Sequence, residues 1–111
     1  MNLKCQAHNS VELVSLPPRL VMANAAETRS EIKSLVEAGR TRLVLDLQAV
    51  DFVDSSGLSV LVSTLKAVHA ANGEVVLLSP SDGVRMLIEL TRLHQVFEIF
   101  EDRRAAIQRL G

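Results

Sequence analysis

The chain has 111 residues, 48% of them hydrophobic and 23% charged, with a formal net charge of −1. That is one globular domain spanning residues 1–111, too apolar for a disordered chain and too evenly charged for a protein held on nucleic acid by phosphate contacts. One cysteine, Cys5, excludes an internal disulfide framework or a multi-cysteine metal site, no apolar run is long enough to span a membrane, and MNLKCQAHNS carries no apolar signal core, so the expectation is a soluble cytoplasmic domain.

Leu3–Ala7 and Val11–Leu16 flank His8-Asn9-Ser10 and read as a β-hairpin. Cys5, on the first strand, reads as a small buried hydrophobe. Pro17-Pro18 ends the second strand, because proline has no N–H to give the ladder. Asn24 then opens a helix, with Glu27 at the capping-box position and Ile32, Leu35 and Val36 at helical spacing; Gly39 stops it. Thr41–Leu47 is rich in leucine and valine and suits a strand buried on both faces.

Asp51-Phe52-Val53-Asp54 leads into Ser55-Ser56-Gly57 and the strongest helix, where Leu58, Leu61, Val62, Leu65 and Val68 recur on a helical stripe. Asn72-Gly73 closes that helix, and Glu74–Leu78 is another strand of the buried type. Ser79-Pro80-Ser81-Asp82 starts a third helix, with proline at its first position and Val84, Leu87, Ile88 and Thr91 facing inward. Val96–Phe100 is a short strand, and Asp102 caps a last helix carrying Ala106, Ile107 and Leu110. Strands alternating with helices across short loops imply parallel strands and right-handed crossovers.

Little in the sequence points to catalysis. His8, His69 and His94 have no metal-ligand spacing to one another or to Cys5. No phosphate-binding glycine loop and no nucleophile elbow occurs, so neither a cofactor nor a metal is expected, and an enzyme is the weaker class. The segment Asp54-Ser55-Ser56-Gly57-Leu58 stands out, between a strand and the best helix. Such residues satisfy free amides at a helix start. A serine there can also carry a phosphate, which a helix N-terminus tolerates electrostatically while the surface changes what it binds. On the helix that follows, Val60, Thr64 and Ala67 lie off the Leu58/Leu61/Leu65 stripe. With Leu58 they form an expected partner-binding surface along Leu58–Ala70.

The stretch from about residue 24 to 110 resembles the STAS domain of bacterial anti-sigma factor antagonists. The resemblance rests on the LVLDL strand, the D-S-S-G-L turn, NGEVVLLSPS and the L-x-x-VFEIFED-x-x-A tail. It implies an α/β fold, a mixed central sheet with helices packed mainly on one side. It also implies a partner switch. The unphosphorylated protein binds an anti-sigma factor that is a serine kinase of the histidine-kinase-like ATPase type, phosphorylation by ATP releases it, and a PP2C-type phosphatase restores binding. The implied phosphoacceptor is Ser55, with Ser56 the alternative, in a turn completed by Asp54 and Gly57. Met22 stands where many relatives have an acid, and Thr91-Arg92 where a small residue and glycine are usual. STAS modules also serve as constitutive subunits of transporters or stressosomes, in which Ser55 would act only as a helix cap.

Overall fold

In the computed structural model, which describes residues 3–111, the hairpin forms as expected. β1 (Lys4–His8) pairs antiparallel with β2 (Val11–Ser15), and Asn9 takes a left-handed φ of 58° at the turn, a conformation asparagine tolerates. Then follow β3 (Arg19–Leu20), α1 (Met22–Glu37), β4 (Arg42–Asp46), β5 (Phe52–Val53), α2 (Ser55–Ala70) and β6 (Glu74–Leu78). The chain ends with α3 (Asp82–Leu90), a 3-10 turn at Leu93–Gln95, β7 (Ile99–Phe100) and α4 (Arg103–Leu110).

The main sheet runs β1-β2-β4-β6-β7, and every pairing after the hairpin is parallel. Strand alternation sorts its side chains into two cores. Leu43 and Leu45 of β4 and Leu77 of β6 join Ile32 of α1, Leu61 of α2 and Ile88 of α3. Val44 and Val76 point the other way, into a smaller cluster with Ala106 and Leu110 of α4. Three helices thus cover one face and α4 alone the other, the mixed α/β architecture expected from the sequence.

Several local readings are corrected. α1 starts at Met22, and Asn24 is its third residue; its side-chain oxygen accepts from the Val21 N–H at 3.0 Å. Pro80 lies ahead of α3, whose cap is Ser81. Thr91 is exposed, and its hydroxyl donates to the Leu87 carbonyl instead of packing inward. Cys5 is exposed because β1 is an edge strand. Its thiol is held above the ordinary value by partial desolvation and by Glu12 and Glu31, which keeps it protonated and a poor nucleophile at neutral pH. Arg92 sits at φ 61°, in the left-handed region that glycine adopts without strain.

The sequence did not announce β3 and β5, which pair in parallel as a separate two-stranded sheet, Arg19 opposite Phe52 and Leu20 opposite Val53. Two-residue strands leave no periodicity to read. Their effect is to set the starts of α1 and α2 side by side.

Candidate functional site

Asp54 organises this place. It is the extended N-cap residue of α2, and one carboxylate oxygen accepts from the Gly57 N–H at 2.9 Å. The other accepts from the Met22 N–H, the first residue of α1, at 3.0 Å. A single carboxylate therefore ties down orphan amides at the starts of two helices. Its backbone N–H donates to the Leu20 carbonyl at 3.2 Å, which locks it to β3. The bonds from Gly57 and Met22 hold the Asp54 carboxyl below the usual carboxylate range, against a smaller opposing effect of desolvation.

This arrangement makes stability depend on acid in a defined sense. The folded-state pKa lies below the unfolded one, so the stabilisation is complete above the ordinary aspartate value of about 3.9 and is lost as pH falls through the folded value. Asp54→Ala removes both caps, whereas Asp54→Asn keeps one acceptor oxygen for α2 and leaves Met22 unbonded. Melting temperatures at pH 7 should therefore rank wild type above Asn above Ala. The gap between wild type and Ala should begin to narrow as pH falls below about 4. An Asn variant as unstable as Ala would show that the bond to Met22 contributes nothing.

Gly57 is needed for close approach. A Cβ there would lie 2.1 Å from the Leu20 carbonyl oxygen and 2.8 Å from a Val53 methyl, so only glycine lets α2 begin against the short sheet. Ser55 is exposed on the first turn, and no bond among the described residues holds its hydroxyl. Ser56 is half-buried, and its carbonyl accepts from the Ser59 hydroxyl at 2.7 Å. The two serines, equivalent on sequence spacing, are thus distinguished by exposure. Neither is the cap of the helix; that is Asp54.

The expected partner surface on α2 needs correction. Val60 is 0% exposed and Thr64 2%, while Leu58 and Ala67 are half-buried. α2 lies beside α1 as well as on the sheet, so it buries an arc wider than its leucine stripe. Val60 and Thr64 are small enough to fill the close side. The Thr64 hydroxyl is satisfied by donating to the Val60 carbonyl at 2.8 Å, which removes the cost of burying it. The outward stripe is instead Ser55, Ser59, Lys66 and His69, with Val62 half-buried among them.

An apolar patch adjoins the turn. Phe52 is 47% exposed, Met86 61% and Leu90 75%, and they line a shallow groove between β5 and α3. The Arg19 guanidinium lies 4.8 Å from the Phe52 ring centroid. Met86 and Leu90, four apart and off the buried Val84/Ile88 stripe, were the available sequence signal. Met22 is 76% exposed beside Asp54, and the first turn of α1 carries no acid.

His69 and His94 are exposed and line a polar groove with Glu74, Glu98 and Arg109; His8 ends β1, half-buried. Arg109 is bonded to Glu98 at 2.8 Å and Glu74 at 2.9 Å, so its charge is already paired. Among the described residues no group of three or more His, Cys, Asp or Glu converges as a metal site, and no helix is long and apolar enough to cross a membrane.

Comparison with known proteins agrees with this geometry. The STAS domain family model matches residues 2–106. The chain is 33% identical over 84 residues to the anti-sigma factor antagonist BtrV of Bordetella bronchiseptica, covering 76% of this chain and 72% of that protein. The solved structure of an anti-sigma factor antagonist from Thermotoga maritima superposes with a TM-score of 0.91 at 24% identity, over 97% of this chain and 93% of that one. The phosphorylated form of the Bacillus cell fate determinant SpoIIAA superposes with a TM-score of 0.78 at 20% identity, over 99% and 100% of the two chains.

Proposed function

The chain belongs to the STAS domain family, and on that footing we propose that it is a phospho-regulated binding module of a bacterial partner switch, acting in the cytoplasm and without catalysis of its own. Unphosphorylated, it binds an anti-sigma factor that is also a serine kinase of the histidine-kinase-like ATPase type. Transfer of the terminal phosphoryl group of ATP to the Ser55 hydroxyl yields ADP and the phosphoserine, and the complex separates. A PP2C-type phosphatase hydrolyses the phosphoserine and restores binding.

The observation that carries this reading is the division of labour between Asp54 and Ser55. Asp54 does the capping, and the exposed Ser55 hydroxyl has no structural bond to lose. A charge of about −1.5 to −2 can therefore be added at the start of α2, where the helix dipole favours it, without undoing the turn. A constitutive subunit in which Ser55 is only the helix cap fits less well, because the cap is the preceding residue. The docking face we assign is the outward stripe Ser55, Ser59 and Lys66, together with the exposed Phe52, Met86 and Leu90. These adjoin the turn through β5 and could bury apolar area against the kinase. The half-buried Leu58 and Ala67 remain at its margins.

Incubation with the cognate kinase and ATP, read by mass spectrometry, should place phosphate on Ser55 in both wild type and Ser56→Ala. Ser55→Asp should weaken kinase binding at least about tenfold, roughly 1.4 kcal/mol, with little change in melting temperature. Undiminished affinity for the Asp variant, or phosphate confined to Ser56, would remove the basis of this assignment.

A further inference from the structure

We propose that Arg29 is a built-in counter-charge for the phosphorylated turn: it holds the Ser55 phosphate to the α1/α2 face of the domain. This deepens the function proposed above and rests on Ser55 being the phosphoacceptor. Arg29 is half-buried on α1, and its guanidinium donates to the Ser59 hydroxyl at 3.1 Å across the helix pair. Ser59 is four residues after Ser55, so the two lie on one face of α2, with Cβ atoms about 6 Å apart.

The approach direction is also right. α1 and α2 both start at Asp54, so they run side by side in the same sense. Arg29 stands seven residues after Met22 and bonds to a residue only four after Ser55. Its side chain therefore already leans back toward the common helix start, as side chains on α-helices do. The bond it makes is to a neutral hydroxyl that also donates to the Ser56 carbonyl. Exchanging that partner for a dianion one turn nearer gains a charge-assisted and, with guanidinium, bidentate contact. No acid in the first turn of α1 competes for it, and the nearby Asp54 carboxylate is occupied by the Gly57 and Met22 amides. A phosphate drawn toward Arg29 would lie against the outward stripe of α2 instead of projecting into solvent, so that it covers part of the proposed docking face.

The test needs no kinase. Phosphoserine incorporated at position 55 during synthesis gives the modified protein directly, so failure of the partner-switch reading and failure of the counter-charge are separate results. The phosphate's second ionisation is followed by phosphorus NMR in the wild-type background, in Arg29→Gln and in Arg29→Lys. A guanidinium beside the dianion favours its ionised form, so Arg29→Gln should titrate about half a pH unit or more higher. Arg29→Lys should fall between, and the difference should shrink at high salt. Gln can still bond to Ser59, and the unphosphorylated variants should melt with wild type, which separates a counter-charge from a structural role. Identical titrations in wild type and Arg29→Gln would overturn the proposal. So would loss of folding on phosphoserine incorporation, since a held phosphate must be accommodated by the native turn.

Discussion

Val60→Glu is expected to unfold the protein, not to free it from a partner. The side chain is 0% exposed and belongs to the same core cluster as Leu61, Ile32 and Leu45. The polar residue nearest in sequence on that face, Thr64, already spends its hydroxyl on the Val60 carbonyl. A carboxylate placed there is cut off from water. It must ionise at a large desolvation cost, take up a proton, or push α2 away from α1. Each route costs on the order of 3–5 kcal/mol, a large fraction of the 5–15 kcal/mol that typical domains possess. Thermal or urea unfolding followed by circular dichroism decides the matter without any partner. Leu61→Ala, expected to lose roughly 2–5 kcal/mol through a cavity, is the reference for an undisputed core position. If Val60→Glu melts within a few degrees of wild type, the packing of α2 against α1 described above is wrong.

Gly57→Ala should show an inverted helix preference. At an exposed interior helical position the exchange gains up to about 1 kcal/mol, because alanine restricts the unfolded chain. Here the new methyl would lie 2.1 Å from a backbone oxygen of Leu20, which cannot swing aside as a side-chain end can. Relief requires the start of α2 to move off the β3–β5 sheet. That movement strains the Asp54 bonds to both helices. A loss of about 3 kcal/mol or more is expected, at the upper end of overpacking effects. The proposed kinase partner should lose affinity in parallel, since the turn that carries Ser55 is displaced. A stabilised Gly57→Ala protein would mean that α2 starts farther from Leu20 than it does here.

The elements legible in the sequence were those with a period. β6 has the expected bounds, Glu74–Leu78, and the alternation that puts Val44 and Leu45 on opposite faces follows from the pleat. Asp102 caps α4 as its position suggested, accepting from the Ala105 N–H at 3.1 Å. The turn itself, Asp54 to Gly57, was visible as a helix start. Its second connection, from Asp54 to Met22, was not, because a hydrogen bond to a backbone amide 32 residues away leaves no mark on either side chain's identity. The outward face of α2 is misread from the sequence because the Leu58/Leu61/Leu65 stripe marks only part of the buried arc. In a helix flanked by another helix, the contact side selects for small volume, so Val60 and Thr64 are buried more completely than Leu58 and Leu65. Phe52, Met86 and Leu90 are the converse case, large apolar residues left outside.

The bond from Asp54 to Met22 also bears on the order in which the molecule is assembled. It closes a loop that contains the whole of α1 and β4, and β4 is held in register only between β2 and β6. Parallel pairings of this kind are slow to form, since chain entropy is lost before the distant contacts compensate for it. The turn that presents Ser55 is therefore expected to be completed late in folding, after the central strands have met. An enzyme that reads this turn by its shape would find its substrate only in finished molecules. Chains still emerging from the ribosome, or trapped part-folded, would carry the same serine without the geometry, and the pool available to the proposed switch would count native protein alone.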